Sequence, residues 1–245
     1  MKHLGEATVK KAVIFDMFET LITHYQSPLY FGVQMAEDAG IPKENFQPLW
    51  RSTEYARSIG EVTLEEVLQG IMQKYNCYSE QLLQKIVQKR IMTKKECFRH
   101  LHEEIVPMLS NLKKKGILIG LISNCFSEEA EVIRESELFP YFDAVYLSYE
   151  QGIQKPEKEI FQRCIKSLGV EAQECLYVGD GGSQELEAAR ELGMTAVQAV
   201  WYLKKGNIQP MERKNGFLQV ESPLEILSFV KTSSHERNLQ KNTRT

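Results

Sequence analysis

Four polar clusters stand out as side chains that could do chemistry together: Asp16 with Thr20, Ser123 with Asn124, Lys155 before Pro156, and Gly179-Asp180-Gly181-Gly182-Ser183 with Glu185 behind it. A carboxylate such as Asp16 can attack an electrophile and carry a covalent intermediate. A lysine can neutralise developing negative charge, and serine and asparagine can offer neutral donors. The acidic pair Asp180 and Glu185, set among glycines, has the look of a cation site. Each cluster also has an ordinary reading. Asp16 can begin a turn or cap a helix, Ser123-Asn124 can be a turn, and Lys155 a solvated loop lysine. Gly181-Gly182 can be a tight turn and Glu185 a first-turn helix charge. The weight lies in where the four fall.

Each cluster fits between a short apolar run and a helical pattern. Ala12 to Phe15 is apolar without polar alternation, as in a strand covered on both faces, and Asp16 follows it directly. From Gly116 onward a unit recurs of helix, glycine, apolar strand and polar loop. Strands are expected at Ile117 to Ile122, Asp143 to Leu147, Cys175 to Val178 and Thr195 to Trp201, with a short edge strand at Phe217 to Val220. Helices are expected with starts at Pro107, Ser127, Pro156 and Ser183, and one around Pro223 to Val230; Gly169 and Gly193 close two of them. Alternation of this kind predicts a parallel sheet wound on both faces. Ligands bind such sheets outside the carboxyl ends of the strands, where all four clusters fall.

One interval breaks the rhythm. Asp16 and Ser123 end consecutive strands of the repeat yet lie 123 − 16 = 107 positions apart. A strand–helix–strand unit needs only ~30 residues, so roughly seventy are surplus. They read as helical, with starts at Ser27-Pro28, at the capping box Thr63 to Glu66 and at Ser79, and another helix over Asn45 to Arg57. The expectation is a helical insertion over residues 21–97 into a core of residues 1–20 and 98–231, with a polar, disordered tail over 232–245.

In order and spacing the four clusters resemble the haloacid dehalogenase-like hydrolase superfamily, over Lys11 to about Trp201. The motifs there are an aspartate after a first strand, a serine or threonine after a second, a lysine, and a GD-type acidic motif. The resemblance implies a Rossmann-like α/β core with a small helical cap between the first two motifs. It implies a magnesium-dependent phosphatase of small phosphorylated metabolites working through an aspartyl-phosphate. It assigns Asp16 as nucleophile, Thr20 as support for its loop, Ser123 and Asn124 as phosphate donors and Lys155 as the neutralising cation. Asp16, the main-chain carbonyl of Phe18 and Asp180 would hold Mg²⁺ directly, with Glu185 acting directly or through water.

Two positions depart from the pattern. The usual second aspartate, two after the nucleophile, is Phe18, whose ring carries no proton. General acid–base help of that kind is typically worth ~10²–10⁴-fold, so the chain should favour good leaving groups. Glu19, His24, Arg51, Tyr55 and Arg57 are candidate substitutes, and the two arginines read more readily as solvated helix charges than as substrate contacts. The last acidic position is Glu185 in place of aspartate. The dehalogenase branch also has an aromatic residue two after the nucleophile and a Ser-Asn pair, so a metal-independent 2-haloacid dehalogenase is a second reading. A weakly active or inactive member that binds a phosphorylated ligand or partner is a third. Cys125 reads as a small residue near the site.

Composition narrows the partners. The chain has 245 residues, 42% hydrophobic, with a formal net charge of −3, which gives no electrostatic reason to expect nucleic acid. No apolar run approaches the ~20 residues of a membrane span, and the polar Met1 to Lys10 does not read as a signal peptide. Five cysteines without C-x-x-C spacing read as reduced thiols in a cytoplasmic protein. The five histidines form no metal-ligand pattern. A small phosphorylated molecule is the expected partner.

Overall fold

The apolar run before Asp16 forms strand β1, Ala12–Phe15, buried at every position. In the computed structural model, which describes residues 9–203 and 212–230, a short 3-10 turn at His24–Gln26 follows and leads into five helices. These are α1 (Gly32–Asp38), α2 (Lys43–Ser52), α3 (Glu54–Ser58), α4 (Leu64–Lys74) and α5 (Glu80–Cys97). The chain continues through α6 (Ile105–Lys114), β2 (Leu118–Ser123), α7 (Ser127–Glu135), β3 (Ala144–Leu147), α8 (Ser148–Gln151) and α9 (Lys158–Leu168). Strand β4 (Cys175–Gly179), helix α10 (Glu185–Glu191), β5 (Thr195–Ala199), β6 (Leu218–Val220) and a 3-10 helix at Pro223–Phe229 complete it. The sheet runs β3-β2-β1-β4-β5-β6, parallel throughout.

Alternate residues of the central strands explain the double winding. Val13 and Phe15 of β1, with Leu176 and Val178 of β4, pack with α6, α7 and Ile226. Ala12 and Ile14, with Cys175 and Tyr177, pack against α9 and α10 on the opposite face. A strand whose two faces both meet helices must be apolar at every position, as the sequence of β1 is. A third apolar cluster lies within the inserted helices, around Met35, Phe46, Trp50, Leu68, Met72 and Ile86. No helix among the described residues is long and apolar enough to cross a membrane.

Local signals place most element ends. Thr63 accepts from Glu66 N while Glu66 reaches back to Thr63 N, and Ser79 caps α5. Gly169, at φ +67°, ends α9 in the left-handed conformation. Several helix starts differ from the sequence reading: α6 begins at Ile105, two residues before Pro107, and the stretch Asn45 to Arg57 forms two helices, α2 from Lys43 and α3 from Glu54. α1 begins at Gly32, four residues beyond Pro28, where Gln34 can accept from Phe31 N. α9 starts at Lys158, two residues after Pro156. α10 starts at Glu185, because Ser183 and Gln184 sit at positive φ and cannot continue a right-handed helix. Residues 231–245, expected to include the tail, lie outside the described residues.

Candidate active site

The reversal of strand order at β1 puts β1 beside β4, with Phe15 opposite Val178. The residues just beyond the two strands therefore stand side by side. Asp16, Asp180 and Glu185 offer carboxylate oxygens that all lie within 4.8 Å of one another, and all three side chains are buried. Lys155 Nζ sits among them, 2.5 Å from Asp16 Oδ1 and 2.5 Å from Glu185 Oε2. Tyr177 OH donates to the same Glu185 oxygen at 2.8 Å, and Gly181 N donates to Oε1 at 3.1 Å. Gly179 is needed at the end of β4: a Cβ there would stand 2.0 Å from Glu185 Oε1.

The remaining sequence-selected residues border this cluster. Thr20, fully buried, points its hydroxyl at Asp16 Oδ2 across a long 3.5 Å, and its carbonyl accepts from Trp201 Nε1 at 2.8 Å. Asn124 clamps the Lys155 main chain: Nδ2 donates to Lys155 O at 3.0 Å and Oδ1 accepts from Lys155 N at 2.8 Å. Its Nδ2 also reaches Ser183 Oγ at 3.2 Å. Ser123 ends β2 fully buried, its hydroxyl 3.5 Å from the carbonyl of Asn124. Phe18 stacks its ring on His24 at 4.8 Å.

Three carboxylates against one ammonium make the site electron-rich. Burial, opposed by Lys155 and reinforced by Glu185, pushes Asp16 up to about 7. Burial together with the charges of Glu185 and Asp16 pushes Asp180 up to about 8. Burial works against the charge on Lys155, but Asp16 and Glu185 outweigh it and hold the lysine protonated above its usual range. An all-oxygen donor set carrying excess negative charge fits a hard divalent cation such as Mg²⁺. Both oxygens of Glu185 already have protein partners, which fits a role through water better than direct ligation.

The candidate proton donors separate. Glu19 accepts from Thr23 Oγ1 and His24 N, and its Oε1 lies 3.0 Å from His24 Nδ1. His24 Nε2 in turn lies 2.5 Å from Lys94 Nζ. Burial, then the nearby Lys94, lowers the His24 pKa. The neutral ring thus donates at Nδ1 and accepts at Nε2. Tyr55 and Arg51 are exposed, whereas Arg57 is buried and not a solvated helix charge. Cys125 is buried with its thiol pushed well above the usual range by burial, as befits an inert small residue.

A model of the haloacid dehalogenase-like hydrolase family matches residues 10–193. The chain belongs to that family. Among its relatives is the glyceraldehyde 3-phosphate phosphatase of Methanopyrus kandleri, 27% identical over 53% of this chain and 56% of that one. The human N-acylneuraminate-9-phosphatase is 30% identical over 54% of this chain and 52% of its own. The chain thus spans about half the length of these curated relatives. A solved 2-haloacid dehalogenase from Pseudomonas syringae superposes with a TM-score of 0.65 at 20% identity, covering 90% of this chain and 97% of that one. That likeness establishes the shared fold.

Beyond the residues selected from sequence, this family member surrounds its cluster with supports the motifs do not name. Tyr177 lies in the buried run of β4, and Gln198 of β5, fully buried, donates to the carbonyl of Asp180 at 2.8 Å. A polar side chain inside an otherwise apolar strand was the available signal for both. Arg90 and Lys94 of α5 pair with Glu128 and Glu129 of α7, all four buried. Their partners stand 35 to 39 positions away along the chain, so helical periodicity could not reveal them.

Proposed function

We propose that this chain is a magnesium-dependent phosphatase that acts on a small phosphorylated metabolite through an aspartyl-phosphate at Asp16. The gathering of Asp16, Asp180 and Glu185 around Lys155, at the carboxyl ends of adjacent strands, carries the reading. The phosphatase activities named for the sequence relatives support it. One carboxylate oxygen of Asp16 attacks phosphorus, and the bond from phosphorus to the leaving oxygen breaks. Water then cleaves the acyl phosphate and regenerates the carboxylate. Lys155 offsets the charge that builds as the two anions meet. Ser123 supplies a neutral donor to the phosphoryl oxygens. Asn124 fixes the Lys155 main chain and adds its own main-chain N–H. Asp16, the Phe18 carbonyl and Asp180 would hold Mg²⁺, with Glu185 behind them. The ion supplies Lewis-acid neutralisation of the phosphoryl group when bound. Helices α1–α5 (residues 21–97) act as a cap that shapes the substrate pocket over a core of residues 1–20 and 98–231.

Phe18 and the Ser123-Asn124 pair favour a second reading, metal-independent displacement of halide from a 2-haloacid. Hydrolysis of an aryl phosphate with and without Mg²⁺, alongside halide release from a short 2-haloacid, separates the two. Mg²⁺-dependent phosphate release supports the phosphatase. Halide release without metal selects the dehalogenase, and silence in both assays would leave a binding protein.

A further inference from the structure

Between α2–α3 and the loop after β2 lies a cavity of about 510 Å³, with Phe18 and Asn124 in its wall. It therefore opens beside the carboxylate cluster. Arg57 lines it too, and this arginine is unusual in being only 2% exposed. Its guanidinium packs against two aromatic rings, with Cζ 3.5 Å from the centre of the Trp50 ring and 4.2 Å from that of Phe126. Nε donates to Thr53 Oγ1 and Nη2 to the carbonyl of Trp50, each at 3.1 Å. Nη1 is buried with no hydrogen-bond partner among the described residues. A buried charged N–H left unpaired is costly, so the arrangement makes sense if a ligand completes it.

Charge bookkeeping around the cavity points to the kind of ligand. The nearby acids Glu128 and Glu129 are matched by Arg90 and Lys94. At the exposed rim, Arg51 and Glu54 bring one charge of each sign. Arg57 remains as one buried positive charge with no ion-pair partner among the described residues. With Nε and Nη2 already paired and Trp50 and Phe126 packed against the guanidinium, Nη1 is the donor left over, covered by protein in this structure, and a planar carboxylate meets a guanidinium in its plane. A dianionic second phosphate would bring more charge than the one unpaired arginine offsets, against a wall that also includes Phe31, Val33, Trp50, Phe126 and the carboxylate of Glu129.

We propose that this cavity is a carboxylate subsite and that the substrate is a small phosphorylated acid, its phosphoryl group at Asp16 and its carboxylate on Arg57 Nη1. The phosphoryl end rests on the phosphatase reading above; the carboxylate end rests on Arg57. Recognition by a polar group that would otherwise go unpaired discriminates strongly against analogues lacking the matching group.

The test uses ω-phosphorylated aldonic acids of two to six carbons, each paired with the polyol phosphate of equal length. Affinities are measured by calorimetry on the full chain carrying D16N, which prevents covalent capture of phosphorus, in the presence of Mg²⁺. At one chain length the acid should bind about tenfold or more tighter than its polyol partner. Adding R57M should bring that ratio to near one, and R57K should fall between. Equal binding of acid and polyol at every length overturns the proposal, and that arm needs no change at Arg57. A preference that survives R57M in protein whose thermal unfolding stays cooperative overturns it too. So does tighter binding of the matching bisphosphate than of the acid. If wild-type chain hydrolyses no phosphate ester yet the acid preference is present and Arg57-dependent, the subsite stands and the phosphatase reading alone falls.

Discussion

Under the proposed phosphatase mechanism, Phe18 should decide what the reaction can use as a leaving group. With a hydrocarbon ring where a proton donor would stand, the departing oxygen must leave unaided, so rates should climb steeply as leaving-group pKa falls. Aryl and acyl phosphates should turn over far faster than alkyl monoesters. The F18D variant should raise alkyl monoester hydrolysis by about tenfold or more relative to aryl phosphate, within the range that acid–base help supplies. A series of substituted aryl and alkyl phosphates measures both slopes. A flat wild-type series would mean that another side chain donates the proton. The chemistry-bearing residues were legible because Asp16, Lys155 and Asp180 each sit beside a recognisable strand or loop. Arg57 was legible only as one of several candidates in the insertion, since its burial depends on Phe126, 69 positions further along the chain.

At the scale of elements, the end of β4 and the facing helices α5 and α7 carry separate consequences. The missing Cβ at Gly179 is filled by the Glu185 carboxylate. G179A should therefore displace Glu185 and weaken Mg²⁺ binding on the order of 10–100-fold, as loss of an outer support typically does. Calorimetric titration with Mg²⁺ checks it, and an unchanged affinity would place Glu185 outside the metal's surroundings. Between α5 and α7, burial alone would raise the Glu129 carboxyl, but Lys94 and Arg90 hold it down to about 2. A depressed carboxylate contributes stability above its unfolded pKa, and that contribution is lost as pH falls from about 4.5 towards about 2. E129Q should be less stable than wild type at pH 7 by roughly 3 kcal/mol, and that gap should shrink when urea unfolding is repeated near pH 3. The strand alternation that predicts the doubly wound sheet is written locally, in runs such as Ala12 to Phe15. The true start of α10 is not, because Ser183 and Gln184 take positive φ to bring Glu185 back over Gly179.

Across the whole molecule, the concentration of negative charge at the carboxyl ends of the central strands sets stability against function. Asp16 and Asp180 have folded-state values raised to about 7 and about 8. A raised carboxylate contributes stability that is complete below its unfolded pKa and is lost as pH rises through the folded value. The metal-free protein should thus lose stability between about pH 4 and pH 8. Mg²⁺ should restore it, so the rise in Tm on adding Mg²⁺ should grow from pH 6 to pH 8; scanning calorimetry with Mg²⁺ and with a chelator measures that difference. The central claim is covalent: phosphorus passes through Asp16. The most direct measurement is rapid acid quench of wild-type chain turning over a phosphate ester with Mg²⁺, followed by peptide mass spectrometry. A single phosphoryl group on the peptide that contains Asp16, absent without Mg²⁺ and absent in D16N, is the expected result. Steady turnover with no phosphoryl group on that peptide, or with the label on another residue, would contradict it.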